Sequence, residues 1–242
     1  MNTNNYITLN LIQPGLCVRM YLIISYLNYA RDNGKKLLCL WKKNDQCPGN
    51  FSEVFQKIDD VCFLEDDFKE LSIIKGEYPK GKHSWNMIDG YWPSKYYKDY
   101  SLFQPVQKLQ DKIDSIVNNL GGFISVHVRR TDFLGLASNQ DFFQFIDRYP
   151  DLKIYLACDQ KSTQETFLKK YGERIFINKY FKKEWSPQDK LKRSSSLEDA
   201  VIDLFVASRA KYYKGSNNTE NGIGPSSYSG AIQYLYNLNQ EK

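Results

Sequence analysis

Between positions 123 and 132 the chain reads Phe-Ile-Ser-Val-His-Val-Arg-Arg-Thr-Asp. An apolar strand pattern ends there in an imidazole, two guanidinium groups and a carboxylate. Alternate side chains of a strand point to opposite faces, so His127 and Arg129 fall on one face and Val126, Val128 and Arg130 on the other. In an open α/β sheet ligands sit at the carboxyl ends of strands. An imidazole and a guanidinium placed there suit an anion such as a nucleotide diphosphate, because the guanidinium fork pairs with phosphate oxygens two at a time. The bland alternative is an Arg130–Asp132 ion pair closing a turn. It leaves four polar groups crowded at the end of an apolar strand without a packing reason.

Other residues of chemical interest lie further along. Asp159 directly follows the strand pattern of 153–158, so it and His127 are expected to meet across one crevice. Asp203 stands among apolar residues of a helical pattern and needs a partner. Ser226-Ser-Tyr-Ser229 opens the last helix, where exposed amides flanked by hydroxyls make an anion site; plain N-capping accounts for one hydroxyl of the three. Arg19, early in the first helix, either binds an anion at the positive helix end or is solvated or ion-paired.

Two tempting motifs fail. Gly76-Glu-Tyr-Pro-Lys-Gly-Lys-His83 nearly matches a phosphate-binding loop, but His83 replaces the required Ser or Thr and Pro79 interrupts it. Glu65-Asp66-Asp67 lacks Asp-x-Asp spacing and reads as a cap for a following helix rather than a metal site.

The elements that must carry these groups follow from periodicity. Residues 6–12 alternate as a strand, Gln13-Pro-Gly15 is a loop, 18–32 is a helix ended by Asn33-Gly34, and 36–41 is a second strand, which together make a βαβ unit. A short helix over 51–55 and a strand over 61–64 come next. Residues 78–100 form a long aromatic-rich connection, either an acceptor surface or an aromatic minicore beneath a loop. An amphipathic helix runs from 105 to 120, stopped by Gly121-Gly122, and is read as the link between two domains, 1–104 and 105–242. In the second, helices are expected at 141–148, 162–171 and 200–209, and strands at 123–128, 153–158, 174–177 and 211–215. Ser196-Leu-Glu-Asp199 is a capping box by type. The polar stretch 179–196 is read as a flap or an ordinary solvated loop.

Composition bounds the rest. A chain of 242 residues holds one large domain or two small ones. A net charge of +5 fits an anionic ligand but gives no concentrated basic face for nucleic acid. Five cysteines, an odd number without any Cys-x-x-Cys pair, read as reduced thiols. With no basic leader and no apolar run near the ~20 residues that span a bilayer, the expectation is a cytoplasmic protein without a transmembrane segment.

His127-Val-Arg-Arg-Thr-Asp132 resembles the H-x-R-R-x-D motif of the α1,2-, α1,6- and protein O-fucosyltransferase superfamily. Further landmarks follow in the same order: Gly15-Leu16 before an early helix, Asp89-Gly-Tyr-Trp-Pro-Ser-Lys-Tyr-Tyr97, Asp159, Leu197-Glu-Asp-Ala-Val-Ile-Asp203 and Ser226-Ser-Tyr-Ser229. The resemblance implies a GT-B type fold of two Rossmann-like α/β domains, with an acceptor side in 1–104 and a GDP-sugar donor site in 105–242. It implies an inverting transferase that moves a deoxyhexose, by family default L-fucose, to a glycan or other hydroxyl. Arg129 would hold the diphosphate, His127 and Asp203 would mark the guanine end, and Ser226 and Ser227 would bind phosphate oxygens. Asp132 and Asp159 would fix the arginine loop or contact the nucleotide; Arg19, from its place at a helix start and not from the resemblance, is counted with the donor-binding groups. No metal or other cofactor is called for, since Arg129 supplies the counter-charge. The sequence departs from the family where the α1,6 branch has a glutamate base: that position is Ala137, which leaves Asp141, Asp132 or another carboxylate for the role. It also departs at 13–19, where the usual Gly-Leu-Gly-Asn is missing. The competing reading is a binding module for carbohydrate or nucleotide-sugar on a transferase fold that has lost its base.

Overall fold

The computed structural model describes residues 5–12, 14–65, 88–130, 137–184, 186, 195–217 and 226–241. The chain divides into two compact units, Met1–Val106 and Gln107–Lys242.

The first unit holds strands β1 (Tyr6–Leu11), β2 (Lys36–Trp41) and β3 (Val61–Glu65), paired in that order and all parallel, with helix α1 (Leu16–Asp32) between the first two. α1 is apolar nearly all round, with Met20, Leu22, Ile23, Ile24, Leu27 and Ala30 buried, so it is enclosed rather than laid on a surface. Gly34, after its end, takes a left-handed φ of 62° that an L side chain rarely adopts.

The expected helix at 51–55 is instead a set of turns leading to a bridge between Phe55 and Pro105. The backbone there pairs outward, Gln56 N–H to Gln104 O at 2.8 Å and Val106 N–H to Val54 O at 3.0 Å. The rings of Phe51, Phe55, Phe63, Phe103 and Trp41 gather in one cluster, Phe51 stacking on Phe63 at 3.7 Å. A helix would turn Phe51 and Phe55 to the same face but would leave Val54 and Gln56 unable to pair with 104–106.

The described end of the aromatic connection packs on α1: Tyr91 meets Tyr29 edge-on at 5.5 Å, stacks on Tyr96, and donates its hydroxyl to Asp32 at 2.8 Å. That is the minicore arrangement; residues 78–87 lie outside the described residues, as do Asp66, Asp67 and His83.

The second unit contains α2 (Gln107–Leu120), β4 (Phe123–Val128), α3 (Asn139–Ile146), β5 (Lys153–Cys158), α4 (Lys161–Tyr171), β6 (Ile175–Phe176), α5 (Leu197–Ser208), β7 (Tyr212–Lys214) and α6 (Ser227–Gln240). Its sheet is parallel throughout in the order β6-β5-β4-β7. Every residue of β4 is buried, as a central strand covered on both faces requires. On one face Val126 and Val128 pack with Leu156, Phe142, Ile146 and Phe167 of β5, α3 and α4. On the other, Ser125 donates to Ala207 O of α5 and His127 reaches α6. The chain builds outward from β4 through β5 to β6, then returns to place β7 on β4's opposite side. The crevice beyond the carboxyl ends of β4 and β7 is therefore the topological switch point, where ligands bind in folds of this kind.

Candidate functional site

At that switch point the ends of β4 and β7 are stitched together by serine hydroxyls. Ser216, two residues after β7, accepts the backbone N–H of Arg129 at 2.7 Å and donates to the carbonyl of His127 at 2.8 Å. Its own N–H donates to Ser229 Oγ at 3.0 Å, and Ser229 Oγ stands 2.6 Å from Nδ1 of His127. Ser226 is the N-cap of α6 and accepts from Ser229 N, while Asn217 bonds both backbone groups of Ser226. The strand end, the loop after β7 and the first turn of α6 are thus one fixed body. The imidazole is 4% exposed and lies against the Tyr228 ring, centroids 4.7 Å apart.

Close approach of α6 to the loop depends on Gly215. A Cβ there would stand 2.6 Å from Tyr213 Oη, 2.9 Å from Ser229 Cβ and 3.0 Å from Ser229 Oγ, all inside ordinary contact, so any other residue pushes Ser229 away.

The two arginines diverge as strand alternation requires. Arg130 turns toward α3, its guanidinium donating to Asn139 Oδ1 at 2.9 Å and to Arg129 O at 3.1 Å and lying over the Phe142 ring. Arg129 is 8% exposed, and its Nε is 3.4 Å from Asp159 Oδ2. The other oxygen of Asp159 accepts the backbone N–H of Arg130 at 2.8 Å. Asp159 thereby fixes the arginine turn from the end of β5, next to β4 in the sheet.

Deeper on the same face as His127, Asp203 of α5 accepts the Tyr155 hydroxyl at 2.5 Å. Packing around the Asp203 carboxyl pushes it up to about 7, against the opposing pull of the Tyr155 bond, although part of the side chain still reaches solvent. The Tyr155 hydroxyl is pushed well up by burial and by the carboxylate beside it.

Asp141 is placed differently. It is the third residue of α3 and closes a capping box, accepting the N–H and hydroxyl of Ser138 at 2.7 and 2.8 Å while its own N–H returns to Ser138 Oγ. Those bonds hold its carboxyl below the usual range. Ala137, just before, is buried in the α3 core. Asp132 lies outside the described residues.

Arg19 belongs to the first unit, fully buried over the Trp41 ring at 4.3 Å. Its Nε and Nη2 donate to Pro14 O and Lys42 O, each at 2.7 Å. It is shut off from solvent, and no acidic side chain among the described residues pairs with it. Ser227, the first residue of α6, is half-buried. Among the described residues no group of three or more His, Cys, Asp or Glu could hold a metal ion, and no helix is long and apolar enough to cross a membrane.

Sequence reasoning missed Ser216, Asn217 and the need for Gly215, and it set Ser229 at an anion site rather than against His127. The Gly-Ser-Asn run after a short strand was the available signal, but its value rests on β7 lying beside β4, and strand order is not written in any local pattern.

No family model and no curated protein matches this chain. Solved structures do resemble it. The NodZ alpha-1,6-fucosyltransferase soaked with GDP-fucose is similar over 96% of this chain and 92% of its own, with a TM-score of 0.58 and 15% identity. Fucosyltransferase NodZ from Bradyrhizobium matches over 97% and 93% at a TM-score of 0.58 and 14% identity. POFUT1 in complex with GDP matches over 97% and 95% at a TM-score of 0.61 and 9% identity. At such identities the likeness is one of fold: α/β, with parallel sheets and flanking helices, as in these GT-B-like structures.

Proposed function

We propose that the chain is an inverting glycosyltransferase that takes a deoxyhexose, L-fucose, from GDP-fucose and delivers it to a hydroxyl of a glycan acceptor. The observation that carries this reading is the Arg129 guanidinium, 3.4 Å from Asp159, on a residue whose backbone N–H is held by Ser216 at the switch point of a parallel sheet. That is where a departing diphosphate needs positive charge, and a guanidinium supplies it in fixed geometry without a divalent ion. Ser226 and Ser227 at the positive end of α6 add donors for phosphate oxygens. Asp203, on the His127 face, accepts from guanine N1–H and N2–H. The bound GDP and GDP-fucose of the similar NodZ and POFUT1 structures support the choice of nucleotide. Asp132 is assigned the acceptor hydroxyl's proton, since Asp141 is committed to its helix cap.

Calorimetric titration with GDP, GMP, UDP and ADP tests the reading. A clear preference for GDP is expected; equal binding of all four ends both the donor assignment and the role of Asp203.

One observation favours the module reading: neither Ala137 nor Asp141 offers a free carboxylate beside the arginine turn. GDP-fucose that binds but is neither transferred nor hydrolysed with any acceptor supports that reading instead.

A further inference from the structure

Two hydrogen-bond relays end on His127, and the second fixes where its proton sits. In the first, Arg129 N–H donates to Ser216 Oγ, whose hydrogen goes on to the His127 carbonyl. In the second, Ser216 N–H donates to Ser229 Oγ at 3.0 Å, and Ser229 Oγ is 2.6 Å from His127 Nδ1. A backbone N–H only donates, so the Ser229 oxygen is the acceptor in that bond. Its single hydrogen must then find an acceptor of its own. Ser229 is completely buried, and Nδ1 is the acceptor in reach among the described residues. The reverse arrangement, with Nδ1–H donating to Ser229, encloses a hydroxyl hydrogen with no described residue to receive it.

We infer that Ser229 is a positioning residue that holds His127 as a neutral imidazole protonated at Nε2, so that the far ring nitrogen acts as a hydrogen-bond donor and not as a base. A ring nitrogen's partner sets the tautomer in just this way in other sites. The consequence for the ligand rests on the GDP-sugar reading. Guanine presents the O6 acceptor beside its N1–H donor, whereas adenine presents an amino donor beside a bare nitrogen. A donor from His127 with an acceptor from Asp203 matches the first edge and opposes the second. Ser229 thereby becomes a determinant of guanine over adenine without touching the base.

The test is long-range proton–nitrogen NMR of the full chain labelled with nitrogen-15. The sequence has two histidines, His83 and His127, so His83→Gln assigns the spectrum. At neutral pH the His127 signals are expected to show Nδ1 bare and Nε2 protonated; a protonated Nδ1, or a mixture of tautomers, overturns the inference. Ser229→Ala is expected to mix the tautomers and to weaken GDP binding roughly fivefold, about the worth of one hydrogen bond. Ser229→Thr, which keeps the hydroxyl, is expected to restore both. An unchanged tautomer in Ser229→Ala also overturns it. Should Ser229→Ala not fold, the parent spectrum and Ser229→Thr still decide the matter. If the parent binds no GDP while its His127 tautomer is as stated, the nucleotide reading fails and the role of Ser229 stands.

Discussion

The carboxylate of Asp159 accepts the backbone N–H of Arg130 at 2.8 Å, so the strand end of β5 decides where the turn after β4 can go. Its second oxygen, 3.4 Å from Arg129 Nε, fixes the guanidinium as well. Asp159→Ala removes both constraints from a mostly buried turn and is expected to cost about 1–3 kcal/mol of stability with a marked loss of GDP affinity. Asp159→Asn keeps an acceptor for Arg130 and should recover most of the stability but little of the affinity. Chemical denaturation and calorimetry on the two variants separate these effects; equal affinity for parent and Asp159→Ala would show that the turn needs no such anchor.

Arg129→Ala is expected to lower fucose transfer by about 10²–10³, the usual loss when a donor to developing negative charge is removed. Arg129→Lys restores the charge without the planar fork and should recover only part of the rate. Turnover numbers with GDP-fucose and a hydroxyl acceptor check this. Transfer by Arg129→Ala at the parent's rate refutes the role given to the guanidinium.

Asp141 separates a helix cap from a general base. Loss of the capping box in Asp141→Ala should cost about 1 kcal/mol while leaving the turnover number within about twofold, since the carboxylate is engaged by Ser138. A rate loss of the ~10²–10⁴ that a missing base entails, in protein that still folds, would return Asp141 to the reaction.

These cases also mark what the sequence discloses. The apolar run ending in His127 and Arg129 was legible because a buried strand must alternate, and the alternation sends Arg130 to the α3 face and His127 to the α6 face. The cap on α5 was legible from Ser196 and Asp199, three residues apart. Ser138 and Asp141 have the same spacing, but Ala137 in place of the family's glutamate points to Asp141 as a base, and the cap goes unread. Arg19 was legible as a cation at a helix start but not as a buried clamp on Pro14 O and Lys42 O, because Lys42 arrives through the β1–β2 pairing. The link from Ser216 through Ser229 to His127 was hidden for the same reason: it comes from β7 lying against β4, a long-range fact that no short window holds.

Asp203 gives the proposed site a pH dependence. A carboxylate that accepts two N–H groups from guanine must be ionised, and this carboxyl titrates at about 7. GDP affinity should therefore be full above pH 8 and fall about tenfold per unit well below 7. Stability runs the other way. The folded pKa lies above the unfolded one, so the folded protein binds more protons between about pH 4 and 7. The stabilisation is complete below the unfolded value and is lost as pH rises through the folded one. Asp203→Asn should flatten both profiles while keeping an acceptor for Tyr155. Calorimetry and thermal melts between pH 5 and 8 supply the comparison, and a GDP affinity constant flat across that range removes Asp203 from the base-binding end.

Gly215 separates two sources of crowding. A methyl group there meets the Tyr213 hydroxyl at 2.6 Å and Ser229 Cβ at 2.9 Å. The first contact is with the tip of a side chain that can swing; the second is with a residue locked in the first turn of α6. Gly215→Ala is therefore expected to shift α6, stretch the 3.0 Å bond from Ser216 N–H to Ser229 Oγ, and cost about 1–3 kcal/mol as overpacking does. Tyr213→Phe alone loses the 3.1 Å bond to Ser229 O and should cost less. If the helix contact dominates, adding Tyr213→Phe to Gly215→Ala recovers only a small part of the lost stability, and GDP affinity stays reduced because Ser229 is still displaced. Full recovery in the double variant would mean that the tyrosine tip was the obstacle and that the approach of α6 tolerates a side chain at this position.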